Sequence, residues 1–264
     1  LDNQKLNPSA SLYMNIVRRF IVLWILGMII QGNLLGFDWH YIKLYSNTLQ
    51  AIAIGYLVAS ILYLNLNIRS LYVTVVGLLI VYSVPFLMDN DFSEQHNFAM
   101  RVDKQVLGYL MVGAYWNESG TWTFSPSYNY TWIWSSLTFV VSVMTGCLAG
   151  KYIKDNKDKY TTRISLVLGI AGLALIFIGL GLGEFIPIIK RIWTSSMAIF
   201  STGINLVLLA LFFYIIDVKK WGKSLQFLKV FGMNSIVAYF LGEYINFRPI
   251  IHQFTYGLEN HFPE

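Results

Sequence analysis

Repeated apolar runs long enough to cross a bilayer constrain this chain more than any motif in it. A helix rises about 1.5 Å per residue, so about 20 apolar residues span the roughly 30 Å hydrocarbon core. Runs near that length lie at 17–35, 49–66, 70–88, 132–150, 164–183, 194–216 and 227–245. In lipid every backbone polar group must be bonded within the protein, so such segments are predicted to be helices. The expectation is an all-α fold, a polytopic transmembrane helical bundle with about seven spans.

Composition removes the soluble alternative. Hydrophobic residues make up 56% and charged residues 12%, against about 25% charged in soluble domains. The 264 residues read as a single transmembrane domain, 1–264, with a long loop at 89–131. The net charge of +5 then reflects the basic excess of cytoplasmic loops rather than nucleic-acid binding. Lipid is the expected partner and nucleic acid is not. The lone cysteine, Cys147, allows no intrachain disulfide. The chain opens on a polar segment from Leu1 with no signal peptide, and reads as a fragment of a longer domain.

Basic residues orient the loops. With Arg18 and Arg19 cytoplasmic, that side also collects Lys5, Arg69, Lys151, Lys154, Lys157, Lys159, Arg163, Lys219, Lys220, Lys223 and Lys229. The other side holds Lys43, Arg101, Lys104, Lys190, Arg191 and Arg248. The excess places 89–131 and 190–196 outside. Phe98, Val102, Val106 and Tyr109 recur at helical spacing in that loop, which predicts an amphipathic helix on the outer membrane face. The aromatic-rich segment 115–131 reads as an interfacial cap or a carbohydrate-stacking surface, and Asn117 and Asn129 begin N-x-S/T sequons. Small residues four apart (Ala51, Gly55 and Ala59; Gly146 and Gly150; Gly179 and Gly183) predict close helix packing.

The histidines have no metal-ligand spacing, so no metal is expected. His40, beside Trp39, is the one placed at the mouth of two spans. Thr194, Ser195 and Ser196 follow Lys190, Arg191 and Trp193. They read equally as a helix N-cap behind basic anchors and as donors converging on an anionic or carbonyl group. Gln50, Asn205 and Asn234 lie in or at the edges of spans, where a polar side chain needs a partner or a cavity. Glu243 sits near a span end, and Glu184, Asp217 and Asp103 sit where solvation is cheap.

The segment PIIKRIWTSS (187–196), the DV at 217–218 and the GMN at 232–234, with Tyr239 beyond, resemble the heparan-α-glucosaminide N-acetyltransferase family of membrane acyltransferases. Segments 18–32, 49–56, 97–103 and 144–150 add to the likeness. The chain departs from the family at Ala51, where Arg is usual, and at SPSYNYTWIW, where an acidic stretch is usual. It has no counterpart of the family's histidine motif or of the span after GMN.

The resemblance implies acetyl transfer from cytoplasmic acetyl-CoA to an amino sugar or glycan outside, in a bacterial inner membrane, with a homodimer as a compatible assembly. It implies phosphate contacts from Arg18, Arg19, Lys219 and Lys220. It gives catalytic roles to Asn234, Thr194, Ser196 and Lys190. His40, Gln50, Asp103, Arg191 and Trp193 would bind substrate. A transporter or permease for a small glycan or metabolite is the alternative, and a non-catalytic membrane scaffold is a third reading.

Overall fold

The structure is a computed structural model that describes residues 8–126, 129–156, 161–245, 249, 251 and 252. Lys5, Lys157, Lys159 and Arg248, which entered the loop comparison, lie outside the described residues. The chain forms two compact units, Leu1–Lys219 and Lys220–Glu264.

The first unit holds helices α1 (Ala10–Ile30), α2 (Thr48–Asn65), α3 (Ile68–Asp89), α4 (Phe98–Leu107), α5 (Ser136–Asn156), α6 (Thr161–Gly183) and α7 (Ser195–Phe213). A short antiparallel pair, β1 (Ala114–Trp116) and β2 (Trp122–Phe124), interrupts the long loop. Polar residues set several starts. Ser9, Asn47, Asn67, Asn97 and Thr194 each accept a hydrogen bond from the backbone N–H three residues on, which satisfies a donor the helix leaves open. Among the described residues six helices (α1, α2, α3, α5, α6 and α7) are long and apolar enough to cross a membrane. Their outward faces are apolar, as at Val73 and Phe177, each 71% exposed. This is a multi-pass membrane protein with an all-α helical architecture.

Within the first unit, successive spans run antiparallel. The Tyr13 hydroxyl at the start of α1 pairs with Asn65 at the end of α2, and Asn47 before α2 donates to the Gly27 carbonyl late in α1 at 2.6 Å. Ser165 early in α6 donates to the Ala210 carbonyl late in α7. One end of the unit therefore gathers segments 31–47, 90–135 and 184–194, and is called the loop end. The other gathers the start of α1, the α2–α3 turn, the end of α5, the start of α6 and residues 214–219. Arg69, Lys151, Lys154, Arg163 and Lys219 lie at this second end, and Arg18 and Arg19 are exposed in the half of α1 nearest it.

Helix α5 packs on α2, α3, α6 and α7, and α6 packs along α7. The tightest crossing is glycine on glycine. A Cβ on Gly172 would meet the Gly203 carbonyl at 2.8 Å, and one on Gly203 would meet the Gly172 carbonyl at 2.7 Å. Gly179 approaches the Phe200 backbone equally closely, whereas a Cβ on Gly146 or Gly150 would meet nothing within 4 Å. Small residues four apart thus mark a contact at Gly179 but not at the Gly146–Gly150 pair.

Two expectations need correction. First, the helix of the long loop packs on protein through a different face from the expected one. Its buried residues are Ala99, Met100, Asp103 and Leu107, while Val106 is 61% exposed. Asp103 accepts from the backbone N–H groups of Trp132 and Ile133 just ahead of α5, and that attachment fixes the rotation. Second, the run 227–245 is not one spanning helix. The second unit holds α8 (Gln226–Met233) and α9 (Ser235–Tyr244). The Asn234 carboxamide donates to the Val230 carbonyl at 2.8 Å. Asn234 has φ −111° and ψ 20°, because a short amide side chain competes with the helical ladder.

Candidate functional site

The turn from Pro187 to Ser196 was the strongest sequence signal, and its hydroxyls are engaged internally. Thr194 and Ser196 are both fully buried. Thr194 Oγ1 lies 2.8 Å from the Pro187 carbonyl and accepts from the Ile189 N–H at 3.1 Å. Ser196 Oγ donates to the same carbonyl at 3.2 Å. Thr194 also caps α7 by accepting from the Met197 N–H.

Neighbouring elements clamp the turn further. Tyr82 of α3 donates to the Ile192 carbonyl at 2.6 Å, and Ser135 donates to the same oxygen at 2.8 Å. Thr138 donates to the Trp193 carbonyl at 2.8 Å. Ser195 pairs with Ser83 of α3. Trp193 is held at φ +45°, a left-handed conformation that costs about 1–2 kcal/mol for such a residue. Its ring meets Phe139, and its buried indole N–H has no hydrogen-bond partner among the described residues. Lys190 and Arg191 are exposed, as are Pro187 and Ile188 at the start of the segment.

Asp103 is fully buried, which corrects the expectation of cheap solvation. Its carboxylate accepts from the Trp132 N–H at 2.6 Å and the Ile133 N–H at 2.9 Å. Burial pushes its pKa up to about 7, against the opposing pull of those N–H groups. Gln50 is also fully buried. Its Oε1 accepts from the Ser46 N–H at 2.8 Å and its Nε2 donates to the Leu44 carbonyl at 2.7 Å. Both side chains fasten loops to helix ends, and neither presents a free polar edge to solvent.

His40 differs. Asp38 Oδ1 lies 2.7 Å from His40 Nδ1 and accepts the His40 backbone N–H at 3.0 Å. Those two bonds hold the Asp38 carboxyl below its usual range. The imidazole stacks on Trp39 with centroids 3.8 Å apart, and Trp116 stands edge-on to both at 4.8 and 5.2 Å. Tyr109 adds edge contacts to Trp39 and Trp116 at 5.9 Å each, and Trp122 continues the cluster from β2. Beneath them Lys43 donates to the carbonyls of Tyr109 at 3.0 Å and Ala114 at 2.6 Å, tying the loop to the hairpin. Burial lowers the Lys43 pKa. Three segments distant in sequence (38–43, 108–116 and 122–124) thus build one aromatic floor around a half-exposed imidazole.

Sequence reasoning named Trp39 and His40 but missed Asp38, Tyr109 and Trp116 as their partners. The D-x-H spacing was the available signal for Asp38, since an Asp side chain readily accepts from the backbone two residues on. The cross-chain contacts of Tyr109 and Trp116 have no local signal. The hairpin tip carries Asn117, exposed, while Asn129 is wedged against Gly113.

The remaining predicted residues are spread out. Lys219 is exposed with its ammonium 5.7 Å from the Tyr214 ring, and Lys220 is exposed with φ +60°. Asn234 is exposed in the second unit. Asn205 faces outward midway along α7, where a carboxamide costs a few kcal/mol unless another helix covers it.

No family model matches this chain, and a search of the curated proteins found no relative.

Proposed function

We propose that this chain is a membrane-embedded acyltransferase domain of a bacterial inner membrane. It moves an acetyl group from acetyl-CoA at the basic end of the first unit to an amino sugar or glycan at the loop end. The observation that carries this reading is the chemical contrast between those ends. One concentrates exposed arginines and lysines, suited to CoA phosphates. The other presents an imidazole, two exposed cations and an aromatic floor, suited to a sugar. The resemblance of segments 187–196 and 217–239 to membrane N-acetyltransferases supplies the reaction class.

In this reading Arg18, Arg19 and Lys219 hold phosphates. Lys190 and Arg191 orient the acceptor. Thr194 and Ser196 act as positioning residues that hold the turn carrying those cations.

The test is acetyl transfer from radiolabelled acetyl-CoA to glucosamine by the full chain in nanodiscs. Labelled N-acetylglucosamine is the expected product, with Lys190→Ala lowering its rate. No product above protein-free nanodiscs overturns the reading.

A second reading, a permease for a small glycan, is favoured by the break at Asn234. Short helices flanking an unwound point recur in transporters, where freed helix ends face the substrate. Sugar counterflow in vesicles without acetyl-CoA would select it.

A further inference from the structure

We propose that the Trp39–His40–Trp116 cluster at the loop end is a binding site for a pyranose sugar. The rings are already fixed: Trp39 packs on His40 by its face and meets Trp116 and Tyr109 by T-shaped contacts. Trp39 nevertheless stays 54% exposed. A rigid half-open indole is the surface a sugar uses. The axial C–H groups of a pyranose lie flat on the ring's negative face, while its hydroxyls project at the rim.

The rim here is polar. His40 Nδ1 is committed to Asp38, and among the described residues its Nε2 has no hydrogen-bond partner. The Trp116 indole N–H is likewise buried without a partner. A sugar hydroxyl would bond to His40 Nε2, and a small shift of the Trp116 ring would bring its N–H to a second oxygen. The same aromatic side chains could instead anchor the loop in the lipid interface. Against this, Asp38 binds both the ring and the backbone N–H of His40 beside the stack, and its side chain is 46% exposed, a polar group that a lipid-facing anchor would not carry. The contact set also closes the rings on one another instead of splaying them outward.

The site rests on the proposed function only for the choice of an amino sugar as ligand, and its test needs no acetyl-CoA. Saturation-transfer NMR of glucosamine and N-acetylglucosamine is recorded with the full chain in phosphatidylcholine nanodiscs. The expected result is saturable binding with the strongest transfer at the axial ring protons. Trp39→Ala weakens it by about tenfold or more, as loss of a central aromatic contact does. His40→Ala weakens it several-fold. Trp221→Ala, an exposed tryptophan in the other unit, leaves it unchanged. The proposal is overturned if neither sugar binds, or if both variants bind like the parent chain. It is also overturned if Trp39 is quenched by lipid-borne spin labels and is insensitive to sugar. Binding without acetyl transfer would keep the site and remove the acyltransferase reading. Transfer that is indifferent to Trp39 and His40 would do the reverse.

Discussion

Two segments at the same end of the bundle behave oppositely. The turn 187–196 carries the residues that looked most chemical, and its hydroxyls are closed on the turn's own carbonyls, clamped by α3 and α5. The loop 37–43, where sequence marked His40 as a candidate, holds an oriented imidazole beside a Trp39 side chain that stays 54% exposed. The difference lies in how many backbone groups each must satisfy. A buried turn has N–H and C=O groups that water cannot reach, so nearby hydroxyls are recruited to them. The loop 37–43 also pairs backbone groups, with the Lys43 N–H on the Gly32 carbonyl and the Tyr41 N–H on the Asp38 carbonyl, but it keeps Trp39 and His40 partly in water.

Each prediction presses on that contrast. The largest effect belongs to Asp103, the anchor of the buried side. Asp103→Ala leaves two buried N–H groups unpaired, at roughly 1–3 kcal/mol each, and thermal unfolding in nanodiscs should drop accordingly. The same residue sets a pH dependence. Its folded pKa of about 7 lies above the usual aspartate value of about 3.9, so between those values the folded state binds more protons than the unfolded. Stability therefore falls as pH rises from about 4 to about 7, by at most about 1.4 kcal/mol per pH unit, and levels off above. Asp103→Asn should flatten that slope, and an unchanged slope would assign it elsewhere. Thr194→Val removes the α7 cap and a turn contact, with a loss of about 1–2 kcal/mol. If acetyl transfer fell instead while stability held, the turn would be chemical after all. His40→Gln should shift stability by no more than about 0.5 kcal/mol, because its side chain is 38% exposed.

The six spans were legible from apolar length, since α2, α3, α5, α6 and α7 start and stop within a few residues of their apolar runs. α1 begins earlier than its run because Ser9 caps it and Tyr13 reaches Asn65. The broken segment at Asn234 was not legible, because apolar length cannot register one amide competing for a carbonyl. The inner face of α4 was misread for a related reason. Periodicity counts apolar residues, and here a carboxylate determines the face. At the candidate site, His40 and Trp39 could be named from adjacency. Tyr109 and Trp116 arrive through a hairpin about 70 residues further on, and pairing across that distance leaves no mark in a single sequence.

The most direct test is the glucosamine-induced shift in unfolding temperature of the parent chain, Thr194→Val and His40→Gln, measured side by side in nanodiscs. A ligand that binds only the folded state raises that temperature in proportion to its affinity. Thr194→Val should start lower and show the parent's full shift, while His40→Gln should start at the parent's temperature and show little shift. The opposite pattern, with the shift lost in Thr194→Val and kept in His40→Gln, would contradict the division between a structural turn and a ligand-facing loop.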